Sequence, residues 1–221
     1  DDVANNVTGI VFRAQEGAFL VGYIAGMTTK TNKVGFIGGM KNVIIDQFQY
    51  GFEAGVLYAA KERNVPIEVV NQYAESFADA AKGKAIASSM YSGGCDIVFH
   101  AAGGVGYGVI EAAKDSNKFV IGVDRDQSYL APDNVLTSAV KNVGTAVKLV
   151  SRELMDGNQI GGRDYEFGLS EHCVGIPENH KNMEESVYNK AMNLSKLVEC
   201  GEIAVPFDEE TFKIYKADLT K

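Results

Sequence analysis

Four glycines lie between a predicted buried strand and a predicted helix, in the stretch AAGGVGYG at residues 101–108. Glycine-rich turns of this kind often hold phosphates, because backbone N–H groups can approach an anion closely. A dinucleotide fingerprint needs a third glycine in GxGxxG where this chain has Val109, and a P-loop needs a lysine that the turn lacks. Two interpretations remain: a tight turn that needs glycine for positive φ, or a turn whose backbone, at Gly103 and Gly104, approaches a ligand other than a phosphate.

An acid and a lysine follow two later apolar runs. Asp124 ends the fourth apolar run, where a carboxylate is costly to bury unless it is paired. An ionised carboxylate accepts hydrogen bonds from two adjacent hydroxyls, such as those of a sugar. Lys141 can neutralise this acid or donate to the same hydroxyls. The alternatives are a cap on the turn that holds Arg125 and Gln127, for the acid, and an exposed position at a helix start, for the lysine.

Aromatic and histidine side chains complete the set of candidate groups. Phe77 and Tyr73 follow the second predicted strand, where an aromatic ring can stack on a flat base or sugar. Packing against the following helix is the alternative for both rings. His100 is expected to be hydrogen-bonded at the end of its strand.

The chain shows no pattern that predicts catalysis or metal binding. It has no nucleophile elbow (GxSxG), no Ser-His-Asp spacing and no CxxC among its three cysteines. We therefore expect no enzyme activity, no metal site and no cofactor. Cys95 and Cys173 stand in or beside apolar runs and are predicted to be buried free thiols.

The elements that must position these groups alternate between strands and helices. Each strand is a short, nearly continuous apolar run, as expected when both faces of a sheet are covered. Right-handed crossovers then predict an α/β fold, an open parallel sheet with helices on both sides. Ligands bind at the carboxyl ends of such strands, which brings the candidate groups to one edge. The predicted strands are 33–38, 67–71, 96–100, 119–124 and 134–138, with an extended run at 165–174; the predicted helices are 16–27, 43–63, 75–91, 106–117, 142–156 and 183–200.

Composition narrows the possible functions. The net charge is −8 and no basic patch is visible, so we expect no nucleic-acid partner. The mixed-sign tail from Lys190 to Lys221 predicts only a solvated face. No apolar run approaches the ~20 residues that span a bilayer, and the sequence does not open on a signal peptide. We expect the sequence to begin partway into a longer protein.

Seven blocks of the sequence together resemble the basic membrane protein (BMP) family, the lipoproteins that bind purine nucleosides for ABC transporters. The order and spacing of the blocks carry the resemblance over nearly the whole chain. The blocks are RAQEGAFLVGYIA (13–25), VGFIGG (34–39), FQYGFEAG (48–55), SFAD (76–79), AGGVG (102–106), GVDRDQ (122–127) and LTSAVKN (136–142).

The resemblance implies a type I periplasmic-binding-protein fold, with two α/β lobes and a ligand cleft between them. Residues 33–140 correspond to the second lobe. Residues 1–32 correspond to a fragment of the first lobe and the hinge, and residues 141–221 to the crossover back to the first lobe and the C-terminal elements. The rest of the first lobe, with a lipid anchor, is expected in an N-terminal part that this sequence does not include.

The resemblance also implies a site and a function. The stacking aromatic falls on Phe77, the glycine backbone contact on Gly103 or Gly104, and the acid and lysine for the ribose on Asp124 and Lys141. The implied function is the substrate-binding component of an ABC transporter. It would deliver a purine nucleoside of the inosine, guanosine or adenosine class to a permease, as an extracytoplasmic membrane lipoprotein. The alternatives are an effector-sensing domain of a regulator or surface sensor with the same fold, and an α/β enzyme that acts on nucleosides.

Overall fold

The structure is a computed structural model that describes residues 4–219. The chain alternates strands and helices along most of its length, as predicted. The strands are β1 (Thr8–Phe12), β2 (Lys33–Gly38), β3 (Glu68–Tyr73), β4 (Ile97–Ala101), β5 (Phe119–Asp124), β6 (Val135–Lys141), β7 (Arg163–Phe167) and β8 (Val174–Gly175). The helices are α1 (Ala14–Thr28), α2 (Val43–Arg63), α3 (Ala80–Ser92), α4 (Val105–Ser116), α5 (Val143–Met155), α6 (Glu185–Glu199) and α7 (Glu209–Leu219), with a short 3-10 helix at Ser128–Leu130.

Six strands form the main sheet, in the order β3-β2-β4-β5-β6-β8. All neighbours pair in parallel except β6 and β8. Alternate residues of the central strands point to opposite faces, so that Phe99 packs in the core with α1 and α2 while Val98 packs in the core with α3 and α4. The prediction of an open sheet covered by helices on both sides is confirmed.

Helix α1 lies against α2 at very short range. Glycines allow this approach: a Cβ on Gly22 would lie 2.2 Å from the Phe52 carbonyl oxygen, and one on Gly55 would lie 2.0 Å from the Phe19 oxygen. Almost every residue of α1 from Ala14 to Gly26 is buried. The prediction of a buried helix at 16–27 is therefore confirmed, and α1 shares the core beside the main sheet.

The start of α3 differs from the sequence prediction. We expected a helix from residue 75, but α3 begins at Ala80. The Ser76 hydroxyl accepts hydrogen bonds from the Ala78 and Asp79 N–H groups (both 3.1 Å), and Asp79 caps the helix through the Lys82 N–H (2.9 Å). Side chains that satisfy local backbone donors in this way favour a turn over a helix, so residues 75–79 form a loop at the sheet edge.

The C-terminal third also differs in part. The extended run predicted at 165–174 is β7, a turn and the short β8, with His172 at φ +56° in the turn. The helix predicted at 183–200 is confirmed as α6, but it buries residues such as Leu194 and Val198 against the core although the tail from Lys190 was predicted as a solvated face, and α7 was not predicted at all. Within residues 4–219 no helix is both long enough and apolar enough to cross a membrane.

A second, smaller unit consists of β1, β7 and α5. β1 and β7 pair in parallel as a two-stranded sheet, and α5 covers one face with Ala146 and Val150. Cys173 is buried in this cluster and Cys95 in the main core, both as free thiols, as predicted. The division of the chain into a first-lobe fragment, a second lobe and a crossover stays a prediction.

Three segments of chain run between the main sheet and the smaller unit. They are held together where they cross: the Arg13 N–H donates to the Phe167 oxygen (2.8 Å) and the Asn142 N–H donates to the Cys173 oxygen (2.7 Å). The Arg13 guanidinium also pairs with Glu16 (2.6 Å) at the start of α1.

Candidate ligand-binding site

A concavity of about 360 Å³ opens at the carboxyl edge of the main sheet. It lies where the strand order reverses, because the chain leaves β2 for β3 on one side and then returns to β4 on the other. In open α/β sheets this switch point is where ligands bind. The lining residues are Asn42, Ile44, Ile45, Phe48, Phe77, Ala101, Ala102, Gly103, Val123, Asp124 and Lys141.

The glycine-rich turn after β4 forms one wall of this concavity. Gly103 lines it and has φ +56°, a conformation that glycine adopts without strain. Gly104 is not among the lining residues, and its N–H donates to the Phe77 oxygen (2.7 Å). The N–H groups of residues 105–107 also donate within the turn. Because these donors are already used, the turn is not arranged as a phosphate cradle.

Phe77 lies across the mouth of the turn. A Cβ on Gly39 would lie 2.1 Å from Cε1 of Phe77, and one on Gly103 would lie 3.5 Å from its Cβ, so both glycines leave space that the Phe77 side chain occupies. Tyr73, the other aromatic considered from the sequence, is not among the lining residues; its hydroxyl donates to Oε1 of Gln49 on α2. Of the two aromatic residues, only Phe77 lines the concavity.

Asp124 and Lys141 meet at the opposite wall, at the ends of neighbouring strands. Lys141 Nζ lies 3.4 Å from Oδ1 of Asp124, and their side chains are 19% and 61% exposed, respectively. The Arg125 N–H donates to the Val123 oxygen and the Gln127 N–H to the Ser138 hydroxyl, so neither is capped by Asp124. The carboxylate therefore keeps exposed oxygen atoms that can accept further hydrogen bonds.

Lys141 is held between aromatic rings. Its Nζ lies 4.7 Å from the ring centroid of Phe48 and 5.9 Å from that of Phe12. At these distances the ring faces attract the lysine side chain through cation–π contacts, which hold it in place. The alternative of an exposed lysine at a helix start is wrong, because Lys141 ends β6 and is largely buried.

His100 differs from its prediction. Its ring is fully buried, and neither ring nitrogen makes a hydrogen bond. A Cβ on Gly106 would lie 2.2 Å from Cε1 of His100, so the ring packs directly beneath the first turn of α4. Burial lowers the pKa of His100 to about 4, although the nearby Gln127 amide and Asp124 carboxylate act in the opposite direction. His100 is thus a neutral group under the glycine-rich turn, and the expectation of a hydrogen-bonded residue is wrong.

Sequence reasoning missed two polar or aromatic lining residues. Asn42 directly precedes the helix predicted at 43–63 and caps α2: its Oδ1 accepts from the N–H groups of Ile44 (2.9 Å) and Ile45 (3.1 Å). Phe48 falls within that predicted helix and was given no role in the site. Both line the concavity because α2 starts directly after β2, so its first turns stand at the carboxyl edge of the sheet. The short connection between the predicted strand and the predicted helix was the sequence feature that could have assigned both residues to the site.

A larger concavity, of about 530 Å³, lies elsewhere, between α2, α7 and the segment that joins α6 to α7. We call it the α7 groove. Its walls are mainly apolar, with Tyr58, Val205 and Ile214 among them, and it includes none of the predicted site residues. It is remote from the carboxyl ends of the strands.

Known proteins resemble the chain along its whole length. The profile of the Bmp family, described as ABC transporter substrate-binding protein PnrA-like, matches residues 1–209. Basic membrane protein A of Borreliella afzelii is 44% identical over 216 residues, which are 96% of this chain and 65% of that protein. Basic membrane protein B of Borreliella burgdorferi is 43% identical over 227 residues, which cover 100% of this chain and 64% of that protein. The chain therefore spans less than two thirds of the length of these relatives.

Solved structures share the fold. A solute-binding protein of an ABC transporter system from Aeropyrum pernix K1 superposes with a TM-score of 0.82 at 25% identity, over 97% of this chain and 71% of that one. A transcriptional activator of the comK gene from Bacillus halodurans superposes with a TM-score of 0.78 at 22% identity, over 90% and 67%. These similarities confirm an α/β fold of the periplasmic-binding-protein type. Together with the profile match and the relatives above 40% identity, they show that the chain belongs to the basic membrane protein family of PnrA-like ABC transporter substrate-binding proteins.

Proposed function

We propose that this chain forms the ligand-binding part of the substrate-binding component of an ABC transporter, and that its ligand is a purine nucleoside. The proposal depends most on one observation. An aromatic ring, an open glycine backbone and an acid–lysine pair meet in a single concavity at the switch point of the sheet. Family membership supports the transport role of such a site.

Each group has a distinct part in the proposed binding. The face of Phe77 stacks on the purine base, since offset stacking of flat rings is favourable. The exposed carboxylate of Asp124 accepts hydrogen bonds from the two adjacent ribose hydroxyls, and charged acceptors make such bonds roughly twice as strong as neutral ones. Lys141 donates to the same hydroxyl oxygens. Gly103 lets the sugar approach the backbone.

Delivery of the nucleoside to a permease requires that binding change the shape of the protein. In the proposed mechanism the ligand joins the two units and favours a closed arrangement by contacting both. Phe12 of the smaller unit and Phe48 of the main unit both flank Lys141, which supports a site close to the boundary. An extracytoplasmic location and attachment to the membrane through a lipid anchor are part of the proposal, on the strength of the family.

Titration calorimetry with inosine, guanosine and adenosine tests the proposal, in this chain and in any longer natural chain that contains it. Ribose and uridine serve as controls for the two halves of the ligand. We expect saturable binding of at least one purine nucleoside, and at least tenfold weaker binding of both controls. Failure of every form of the protein to bind a purine nucleoside would contradict the proposal.

Binding without catalysis is also part of the proposal, because the site contains no arranged nucleophile and base. Chromatography of inosine or guanosine after incubation with the protein should show the nucleoside intact. Release of the free base would favour the enzyme alternative. The regulator alternative rests on the fold alone, since the comK activator is only 22% identical.

A further inference from the structure

One buried amide side chain, that of Gln127, is hydrogen-bonded to the backbone of the loop that carries Asp124. Gln127 is only 7% exposed although it is polar. Its Oε1 accepts a hydrogen bond from the Val123 N–H (2.9 Å), and its own N–H donates to the hydroxyl of Ser138 (3.1 Å) on the neighbouring strand. Gln127 therefore links Val123, at the start of the loop, to the end of the loop, and it links that end to Ser138 on β6.

The strand below leaves a space for this arrangement. Gly122 pairs with Ser138 across β5 and β6. A Cβ on Gly122 would lie 2.6 Å from Oε1 of Gln127 and 2.6 Å from the Ser138 hydroxyl oxygen. Any other residue at position 122 would displace the amide, so the glycine and the glutamine form one unit.

Asp124 itself has a backbone conformation that needs such support. Its φ is +65°, in the left-handed region that residues other than glycine adopt only at an energetic cost. The turn is closed by the Arg125 N–H, which donates to the Val123 oxygen (2.8 Å). The conformation persists only where the surroundings over-determine it, and the buried Gln127 amide supplies the constraint on Val123, the residue before Asp124.

We propose that Gln127 is a positioning residue that holds the Asp124 carboxylate where it can accept hydrogen bonds from two adjacent hydroxyls of the ligand. This inference rests on the proposed function, and it adds a residue that does not line the concavity. Without the amide, Asp124 keeps its charge but loses its fixed direction. The expected loss is therefore confined to ligands that carry the hydroxyl pair.

The test compares inosine with 2′,3′-dideoxyinosine in titration calorimetry, using the wild type, Gln127→Met and Gln127→Glu. The methionine is of similar length but accepts no hydrogen bond, whereas the glutamate keeps an acceptor for the Val123 N–H. We expect Gln127→Met to bind inosine at least tenfold more weakly and to bind dideoxyinosine within twofold of the wild type. Gln127→Glu should recover part of the lost preference.

Two further measurements guard against a purely structural effect. Hydrogen exchange at the Val123 amide should be faster in Gln127→Met, while exchange in β2 and β4 stays unchanged. Ser138→Ala, which removes only the second tie, should lower the preference for inosine by a smaller factor, and it serves as the test variant if Gln127→Met does not fold. Equal loss for both ligands, or no loss for either, would overturn the positioning role. A wild type that binds neither ligand would instead contradict the proposed function.

Discussion

The two concavities described above differ in size and in chemistry: the larger one is mainly apolar, and the smaller one gathers polar and aromatic groups. The α7 groove is the larger, about 530 Å³ against about 360 Å³ for the concavity at the strand ends. Its walls come from the side of α2 and from a helix with no fully buried residue. The smaller concavity gathers an aromatic ring, a glycine turn and an ion pair from the ends of neighbouring strands.

The proposed site is therefore chosen by the convergence of polar and aromatic groups and not by volume. A groove between two amphipathic helices forms wherever their side chains fail to fill the space. A ring, an acid and a lysine that meet at a switch point depend on the register of several strands at once.

The buried histidine beneath the glycine turn should make the strand-end region sensitive to acid. The folded-state pKa of His100, about 4, lies below the 6.5 of an exposed histidine. Between these values the unfolded chain takes up a proton that the folded chain refuses, so stability is lost as pH falls from about 6.5 to 4. At roughly 1.36 kcal/mol per pKa unit, the loss attributable to His100 is about 3 kcal/mol between pH 7 and pH 4.

Urea unfolding of the wild type and His100→Gln at pH 7 and pH 4 measures this effect. Carboxylates contribute to the pH dependence of both proteins, so the difference between the two slopes isolates His100. The wild type should lose about 3 kcal/mol more than the variant on acidification. Parallel losses in the two proteins would show that His100 is not the acid-sensitive group.

Removal of the acid should weaken ligand binding in the strand-end concavity strongly. Asp124→Ala deletes the acceptor for both ribose hydroxyls and leaves the Lys141 ammonium without its partner. We expect affinity for a purine nucleoside to fall about 100-fold, which corresponds to about 2.8 kcal/mol. Asp133→Ala is the matched control, because Asp133 is also an acid paired with a lysine (Lys181, 3.2 Å) but lies outside the concavity. Calorimetry that finds equal affinity in the wild type and Asp124→Ala would remove Asp124 from the site.

The aromatic ring should contribute less than the acid. Phe77→Ala removes the proposed stacking surface, and we expect affinity to fall about tenfold, since base–aromatic stacking is worth about 1–3 kcal/mol. Phe77→Tyr keeps a flat ring and should bind within about twofold of the wild type. Tyr73→Phe, which changes the aromatic residue at the end of β3, should have no effect on affinity. A larger loss in Tyr73→Phe than in Phe77→Ala would reverse the assignment of the two rings.

Filling the α7 groove should leave nucleoside binding unchanged. Ala204 is exposed and lines the groove, so Ala204→Trp occupies part of it without disturbing the main core. We expect the affinity for the nucleoside to stay within about twofold of the wild type in calorimetry. A tenfold or greater loss would break the contrast between the two concavities.

The fold followed from the sequence where local patterns agreed with tertiary packing. The apolar runs of β2, β4 and β5 are buried on both faces, so composition alone predicted them. The predicted start of α3 was wrong because the side chains of Ser76 and Asp79 accept hydrogen bonds from nearby backbone N–H groups. The periodicity of apolar residues does not reveal such local hydrogen bonds. Helix α7 was missed because its charges have mixed sign and none of its residues is fully buried.

The candidate site was predictable in outline for a similar reason. The ends of adjacent parallel strands meet at one edge, so the sequence alone predicted that Asp124 and Lys141 lie close together. Phe48 could not be assigned, because a ring that lines a cavity and a ring that fills a core occur at the same helical spacing. The unpartnered nitrogens of His100 and the buried amide of Gln127 depend on packing between elements distant in sequence. The functional roles of Phe77, Gly103, Gly104, Asp124 and Lys141 stay predictions.

The glycine contact between α1 and α2 has a mechanical consequence. Backbone lies against backbone at Gly22 and Gly55, so α1 has no layer of side chains through which to slide. Helix α1 starts directly after Arg13. The segment that joins β1 to α1 is therefore followed at once by a helix that is packed rigidly against α2. Any rotation of β1 must then be absorbed within about two peptide units, at Phe12 and Arg13. That short link lies beside Lys141, whose Nζ is 5.9 Å from the centroid of the Phe12 ring, so the lysine of the proposed site borders the connection between the two units.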